Sequence, residues 1–373
     1  MTLTRSESVE SHSLKPVRVG LIGCGKVGSI HAAALRTIPE AEFVAACDAN
    51  AERAGAFGAK FGVRPFADVQ SLLRDGGVEA VVIGTPHPLH AEPAIRAAEA
   101  GVHVLVEKPM AATLADCDAM LAAAKKTGIT FGVISQRRFF EPVARMKATI
   151  DSGKLGKPSL AVFLMYSWRE PSYYTSDPWR GKWDTEGGGV LVNQSPHQLD
   201  ILLWLMGPAA DVSGYWANVN HPNVEVDDSA VATIRFKNGG LGSVITSVSQ
   251  KPGLFTKVHI HGSNGASVGV ETDRGATFIA GVSAISEPPL TDLWTVPGEE
   301  QLLAQFQAED RAAFDAVDAT VHYHTLQIRD FLRSIIESRP PLVTGADGRR
   351  VVELFSAIYQ SSREGRSIAL PLT

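Results

Sequence analysis

The sequence VRVGLIGCGKVG, residues 17–28, decides the fold. A β-branched apolar run leads directly into a Gly-x-Gly-x-x-Gly pattern formed by Gly23, Gly25 and Gly28, and a helix-like segment follows. In such a turn the first glycine permits the tight bend, the second lets the backbone approach a pyrophosphate, and the third lets helix and strand pack closely. Unpaired N–H groups at the helix start favour anions. The stretch therefore predicts the first unit of a dinucleotide-binding fold, with Lys26 and Val27 among the cofactor contacts.

A carboxylate stands where this fold places the ribose ligand. Asp48 follows the second β-branched run and lies 20 residues after Gly28 (48 − 28). A carboxylate at this place hydrogen-bonds the adenosine ribose of NAD and repels the extra phosphate of NADP. We therefore predict NAD as the cofactor, while Arg53 nearby keeps NADP as an alternative. A second alternative is that Asp48 only ends a strand in a solvated turn.

The wider pattern extends this unit into two different halves. Up to about residue 133, short apolar runs alternate with Ala-rich helical segments, which predicts βαβ units and a doubly wound parallel sheet. After Arg138 the strand-like runs are longer, and they lie at 158–168, 230–236, 241–249, 257–261 and 266–270. Lys237–Gly240 is a hairpin signal between the second and third of them. Helical patterns return from Leu302. The second half therefore reads as α+β.

Composition excludes several classes of protein. A chain of 373 residues suggests two domains with separate cores. The net charge of −5 and the absence of a basic run argue against nucleic acid, and no apolar stretch reaches the roughly 18 residues that span a membrane. The polar, Ser-rich start reads as a disordered tail over residues 1–15 and has no secretory pattern. Three cysteines, an odd number, favour the cytoplasm.

Two loops should face the dinucleotide crevice, because ligands bind at the carboxyl ends of the strands in such sheets. One is the loop 84–90 and the other contains Glu107-Lys108-Pro109. Taken alone, Lys108 is more often a surface lysine than a catalyst. The motifs around Lys108 change that interpretation, because together they resemble those of a known family.

Several motifs in this order resemble the glucose–fructose oxidoreductase/inositol dehydrogenase (Gfo/Idh/MocA) family. They are Thr85-Pro86-x-x-Leu89-His90, Glu107-Lys108-Pro109, Gly187-Gly188-Gly189, His197, Asp200 and Asp228-Ser229-Ala230. The resemblance covers nearly everything from Val17 onward. It implies an NAD-binding Rossmann domain at 16–137 and an α+β substrate and oligomerisation domain at 138–373, built on a large open mixed sheet. Because such a sheet usually needs covering, we expect a homodimer or homotetramer.

The resemblance also implies roles for the two loops. Lys108 is the catalytic lysine, whose ammonium can hydrogen-bond the reacting hydroxyl and stabilise developing alkoxide charge. Glu107 lies by the nicotinamide ribose, and Thr85, His87, His90 and Lys108 itself are expected among the cofactor contacts. No metal is expected at the two histidines, since no cysteine or carboxylate completes a ligand set and the family uses none.

His197 is the expected proton acceptor. Pro196 is tolerated in the first turn of a helix, and Ser195 with Gln198 forms a capping-box pattern, although Asn193 is an alternative cap. A histidine suits accepting a hydroxyl proton while hydride leaves the same carbon. An isolated histidine is more often structural, but the resemblance favours a functional role.

Asn193 departs from the pattern of many family members, which carry an aspartate paired with the histidine. An asparagine can orient the ring or a substrate hydroxyl but supplies no negative charge. The basicity of His197 is therefore in question, and more of the chemistry falls to Lys108.

Aromatic and basic side chains between residues 168 and 183 predict a carbohydrate-like substrate. Flat aromatic faces pack against the C–H faces of sugar rings, while arginine binds hydroxyls. The predicted substrate contacts are Arg137, Trp179, Arg180, Asn193 and His197. Alternatively, the aromatics clamp this loop to its own core or to a neighbouring subunit, and Trp179 and Arg180 touch the cofactor.

The sequence as a whole predicts an oxidoreductase that moves a hydride between NAD and a secondary alcohol of a sugar, polyol or glycoside. One alternative is an NAD-assisted enzyme that cleaves glycosides through transient oxidation. Another is a non-catalytic regulator that binds NAD.

Overall fold

The first half of the chain folds into a parallel sheet with helices on both faces, as predicted. The structure is a computed structural model that describes residues 15–273, the backbone of residues 277–278, and residues 285–372. The elements of this half are β1 (Val17–Ile22), α1 (Lys26–Leu35), β2 (Ala41–Cys47), α2 (Ala51–Phe61), β3 (Arg64–Phe66), α3 (Val69–Asp75), β4 (Ala80–Ile83), α4 (Ala91–Glu99), β5 (His103–Val106), α5 (Leu114–Thr127) and β6 (Phe131–Val133). The predicted tail at residues 1–15 lies outside the described residues except for Lys15.

The order of the strands locates the crevice. Within the described range 15–273, six strands lie in the order β3-β2-β1-β4-β5-β6, and every neighbouring pair is parallel. The order reverses between β1 and β4, which is where ligands bind in open α/β sheets. β1 and β4 are almost wholly buried, as expected of strands covered on both faces.

The second half forms a mixed sheet with helices on one face. Its elements are α6 (Glu141–Asp151), β7 (Pro158–Tyr166), β8 (Trp168–Arg169), α7 (Pro171–Thr175), α8 (Trp183–Glu186), α9 (Pro196–Met206), β9 (Ala209–Ala217), β10 (Ser229–Phe236), β11 (Leu241–Ser247), β12 (Phe255–Gly262), β13 (Ser267–Thr272), β14 (Thr277–Phe278), β15 (Leu290–Trp294), α10 (Leu303–Asp315), α11 (Ala319–Ile336), α12 (Gly345–Glu364) and β16 (Ile368–Ala369). Eight of the described strands form the sheet β15-β13-β12-β7-β11-β10-β9-β16, in which only β7 and β11 are parallel neighbours. The predicted open mixed sheet is confirmed.

The predicted hairpin between β10 and β11 is confirmed as well. The two strands pair antiparallel, and Gly239 takes a φ of +86° in the turn, a conformation that favours glycine. The structure also differs from the sequence pattern: the run predicted as one strand over 158–168 breaks after Tyr166 into β7 and β8. β9 and β15 have no counterpart among the predicted strands.

One face of the mixed sheet is covered by α9 and α12, and the other is open. β10 shows the asymmetry, since its residues alternate between buried and exposed along the strand. Large apolar side chains stand on exposed positions of the sheet, among them Tyr215, with 71% of its surface accessible, Leu241 with 54% and Val231 with 50%. The open face therefore presents apolar surface that this chain does not cover.

The end of the chain returns to the first sheet. α11 packs against α1, and its Ile328, Phe331 and Leu332 belong to the same hydrophobic cluster as Val19 and Leu21 of β1. The division at 137/138 remains a prediction, and the N-terminal core contains side chains from beyond it. None of the described helices has the length and apolar character needed to cross a membrane.

Candidate active site

A cleft of about 1760 Å³ opens at the carboxyl ends of β1, β4 and β5, and both halves of the chain line it. Most of the predicted site residues lie on its wall. They are Gly23, Gly25, Lys26, Val27, Asp48, Thr85, Glu107, Lys108, Arg137, Trp179, Arg180, Asn193 and His197. Gly28, His87 and His90 are not part of the lining. Sequence elements far apart in the chain thus meet at one surface.

The glycine turn is shaped to receive a diphosphate. Gly23 has a φ of +102°, and a Cβ there would lie 2.7 Å from the backbone of Gly84. A Cβ on Gly28 would overlap the carbonyl oxygen of Gly23, whereas a Cβ on Gly25 would meet nothing within 4 Å. α1 begins with no side-chain cap and no acidic residue in its first turn. Its N–H groups therefore suit an anion, and the residues present fit the diphosphate of a dinucleotide.

Asp48 connects the glycine turn to the start of α2. One carboxylate oxygen accepts a hydrogen bond from the backbone N–H of Cys24 (3.0 Å) and the other from that of Asn50 (2.9 Å). Nε of Arg53 lies 3.1 Å from the carboxylate. Asp48 therefore shapes the glycine turn as well as facing the cleft.

The structure does not support the predicted cofactor contacts of His87 and His90. Both rings are buried and turned to backbone carbonyl groups: His87 donates to Glu186 (2.5 Å), and the ring nitrogens of His90 lie 2.9 Å and 3.0 Å from the oxygens of Thr85 and Pro109. Burial lowers the pKa of His87 to about 3 and also lowers that of His90. The short helical turn at 87–89 points both side chains inward, and their hydrogen bonds connect this loop to the backbone of neighbouring loops. Among the described residues, no group of three His, Cys, Asp or Glu could hold a metal ion.

Glu107 is held by a histidine that sequence reasoning missed. Its Oε1 lies 2.9 Å from Nε2 of His31, and its Oε2 accepts from the backbone N–H of Lys108 (3.0 Å). Burial favours the neutral carboxyl, but the hydrogen bond and charge of His31 outweigh it and lower the pKa of Glu107 to about 2. His31 lies three residues after Gly28 on α1, and that position was the only signal in the sequence.

Lys108 reaches from the first half of the chain to the second. Its Nζ donates to the backbone oxygen of Asn193 at 3.0 Å. Burial and the charges of Arg137 and Arg180 lower the pKa of Lys108 to about 8, against the opposing charge of Glu107. A lysine of this pKa can carry or release its proton near neutral pH.

His197 lies in the first turn of α9 and faces the same cleft. Burial, with the positive charges of Lys108 and Arg137, lowers the pKa of His197 well below 6.5, so the ring is neutral at pH 7. Its Nδ1 is buried and has no hydrogen-bond partner among the described residues. The predicted capping box is wrong, since the Ser195 hydroxyl pairs with Thr246 (2.9 Å) and caps no backbone N–H.

Asn193 does not orient the histidine. It lies in a π-helical turn over Val190–Gln194, and its amide donates to Oε1 of Glu186 (2.5 Å). The alternative that Asn193 caps α9 is also wrong. What Asn193 contributes to Lys108 is its backbone oxygen, a role that no side-chain pattern could reveal. Burial raises the pKa of Glu186, a second residue that sequence reasoning missed.

The aromatic loop fixes the remaining basic groups. Arg180 donates to the Tyr173 hydroxyl (2.6 Å) and stacks 4.3 Å from the ring centres of Tyr173 and Trp179. Arg137 binds both carboxylate oxygens of Asp273 (2.5 and 3.1 Å). The guanidinium groups of Arg137 and Arg180 are therefore held in defined positions on the cleft wall.

Comparison with known families agrees with this geometry. The model of the oxidoreductase family with an NAD-binding Rossmann fold matches residues 17–135, and that of the GFO/IDH/MocA C-terminal domain matches residues 143–268. The chain belongs to the Gfo/Idh/MocA family of oxidoreductases. The resemblance that the motifs predicted is thus confirmed, together with the NAD-binding Rossmann domain.

Several members of the Gfo/Idh/MocA family are similar over almost the whole chain. Myo-inositol 2-dehydrogenase of Thermotoga maritima is 28% identical over 364 residues, covering 95% of this chain and 98% of the relative. The crystal structure of the WlbA dehydrogenase from Bordetella pertussis in complex with NADH and UDP-GlcNAcA is 30% identical, covers 96% of this chain and 99% of its own, and has a TM-score of 0.83. Levoglucosan dehydrogenase in complex with NADH and L-sorbose is 26% identical, covers 96% and 100%, and has a TM-score of 0.80.

Proposed function

We propose that this member of the Gfo/Idh/MocA family is an NAD-dependent dehydrogenase acting on a secondary alcohol of a sugar, polyol or glycoside. The observation that carries the proposal is the hydrogen bond from Lys108 Nζ to the backbone oxygen of Asn193. It brings the lysine from the end of β5 to the start of α9, where His197 lines the same cleft. The names of the relatives, a myo-inositol and a levoglucosan dehydrogenase, support the substrate class.

His197 and Lys108 have different roles at the reacting hydroxyl. NAD, when bound, exchanges a hydride with the substrate carbon at the nicotinamide. His197 is neutral at pH 7 and can accept the hydroxyl proton. Lys108 is protonated below its pKa of about 8 and can stabilise the negative charge that develops on the same oxygen. Glu107, held by His31, keeps the backbone N–H of Lys108 in place.

NAD is favoured over NADP in this proposal. The carboxylate of Asp48 lines the cleft beside the glycine turn, a position that suits ribose hydroxyls and repels a phosphate. Arg53 is already paired with Asp48, which reduces its availability to a second anion.

A homodimer or homotetramer, formed through the open face of the mixed sheet, belongs to the same proposal. The exposed apolar residues there, Tyr215, Leu241 and Val231, are the kind of surface that a second subunit covers. A cytoplasmic location is supported by Cys24, Cys47 and Cys117, which are all buried free thiols.

The proposal is tested by an NADH-formation screen over sugars, polyols and glycosides, with NADP in parallel. On the best substrate, Lys108→Met should lower kcat by about 10²–10³, the scale of losing one pre-organised charge, while the Kd for NAD stays within twofold. The exposed Lys125→Met on α5 serves as the matched control and should leave kcat unchanged.

Three results would contradict this function. Unchanged kcat in Lys108→Met would remove the lysine from the mechanism. Glycoside cleavage without net NADH would indicate transient oxidation instead, and NAD binding without any turnover would indicate a regulator.

A further inference from the structure

The substrate end of the cleft is rich in charged side chains. Lys108, Arg137, Arg169 and Arg180 all line it. The carboxylates bonded to Arg137 and Arg180 are Asp273 and Asp177. Two further carboxylates belong to this end: Glu107 is turned to His31, and Glu186 accepts a hydrogen bond from the side chain of Asn193 and interacts electrostatically with Arg180. Cations and carboxylates are therefore nearly balanced here, and the ligand is selected by the donors that keep no partner.

Arg180 and Tyr173 together present donors that point to an acceptor outside the described residues. The Tyr173 oxygen accepts from Nη1 of Arg180 (2.6 Å) and from Nε2 of Gln194 (3.0 Å). With its lone pairs engaged, the hydroxyl hydrogen needs a further acceptor, and no described residue supplies one. Nε of Arg180 donates to Asp177 (3.2 Å), while Nη2 has no hydrogen bond among the described residues. Stacking on Tyr173 and Trp179 holds the guanidinium in place.

A carboxylate is a better acceptor for the free donors of Arg180 and Tyr173 than a hydroxyl is. It accepts up to about four hydrogen bonds on two oxygens, and its bonds to arginine are strengthened by charge. We propose that the substrate is a polyhydroxy acid whose carboxylate binds Arg180 and Tyr173, with its reacting C–OH at Lys108 and His197. This inference rests on the proposed function, because it names the substrate class of the same site.

The two ends of the proposed site are tied to neighbouring residues. Lys108 binds the backbone oxygen of Asn193, and Tyr173 binds the side chain of Gln194, the next residue. The proposed anion end and the reacting end are therefore tied to adjacent residues of one π-helical turn.

Matched pairs of acid and neutral substrate provide the test. At pH 7 and saturating NAD, kcat/KM is measured for D-glucuronate against D-glucose, D-galacturonate against D-galactose, and D-gluconate against D-glucitol. We expect the acid of at least one pair to be preferred by about 30-fold or more, the scale of a desolvated charge pair. Arg180→Met and Tyr173→Phe should each reduce that ratio about tenfold or more, with the KM for NAD within twofold. Arg311→Met, on an exposed position of α10, should change neither value.

The possible failures are distinguishable. Turnover of neutral polyols without preference for any acid would overturn the inference and leave the proposed function standing. A higher KM for NAD in Arg180→Met at an unchanged ratio would show that Arg180 serves the cofactor, and would overturn it too. Absence of NADH from every sugar and acid would contradict the proposed function and the inference with it. If Arg180→Met does not fold, Tyr173→Phe decides, since it removes one hydroxyl and keeps the ring.

Discussion

The two ends of the cleft are built in different ways. The nucleotide end uses the backbone of one short stretch: the glycine turn at 23–28 and a carboxylate, Asp48, that binds the N–H of Cys24. The substrate end uses side chains from remote parts of the chain. Lys108 binds a residue 85 positions away, and Arg137 binds Asp273 at a separation of 136.

This difference predicts two kinds of sensitivity. A site formed by close backbone contacts is lost when an added side chain occupies the space between the backbone and its neighbour. A site made of long side chains keeps its shape when one group changes, and responds through charge and proton binding. Each of the following experiments tests that contrast, from the largest expected effect to the smallest.

The largest effect is expected for Gly28→Ala. Its Cβ would overlap the carbonyl oxygen of Gly23, so α1 must move away from β1 or the turn must open. We expect NAD binding to fall at least about 100-fold, and the free energy of unfolding to fall by about 1–3 kcal/mol, the usual cost of overpacking. Calorimetric titration with NAD and a denaturant curve give the two values.

Gly55→Ala is the matched control. Gly55 lies inside α2, and a Cβ there meets nothing within 4 Å. Alanine should leave NAD binding unchanged and stabilise the helix by up to about 1 kcal/mol. Normal NAD binding by Gly28→Ala would show that the turn does not act as a rigid backbone site.

The pH dependence probes the side-chain end. With saturating NAD, kcat/KM for alcohol oxidation should stay level below pH 6.5, because the pKa of His197 lies well below that value. It should fall above pH 8, up to about tenfold per pH unit, as Lys108 loses the proton that stabilises the oxyanion. In Lys108→Arg the basic limb should disappear, since guanidinium keeps its proton.

The opposite sign would reassign the roles. A rate that rises through pH 8 would make the neutral amine of Lys108 the proton acceptor. His197→Asn provides the control for this outcome, because it would then leave the profile in place.

The same contrast explains what could be predicted from the sequence. The glycine turn, Asp48, the parallel sheet and the hairpin after β10 follow from local patterns with a fixed period or spacing. Lys108 and His197 were assigned by resemblance, and the cleft indeed brings both to one wall. The groups that contact these two side chains could not be predicted, because they depend on how the two halves of the chain pack against each other.

The residues that were missed or misjudged show this limit. His31 is the buried partner of Glu107, and no spacing rule links residues 76 positions apart. Glu186 is only seven positions from its partner Asn193, but a left-handed glycine and a π-helical turn lie between them, so no helix or strand period applies. His87 and His90 follow the motif but turn inward, because a short helical turn at 87–89 sets their direction. Local sequence gives the position of such a side chain, and tertiary packing gives its partner.

The smallest effect is expected for Asp48→Asn. The amide oxygen can still accept from the N–H of Cys24, so the glycine turn should keep its shape, while the hydrogen bond from the N–H of Asn50 is lost. The loss of charge removes repulsion toward a 2′-phosphate and releases Arg53, whose Nε lies 3.1 Å from the carboxylate in the native chain. The ratio of kcat/KM for NAD to that for NADP should therefore fall about tenfold, the value of roughly 1.4 kcal/mol. Adding Arg53→Met should reverse most of the gain with NADP, since a methionine offers no charge to the phosphate. If the ratio stays unchanged in Asp48→Asn, the carboxylate serves only to shape the glycine turn. The preference for NAD over NADP would then be determined by other residues.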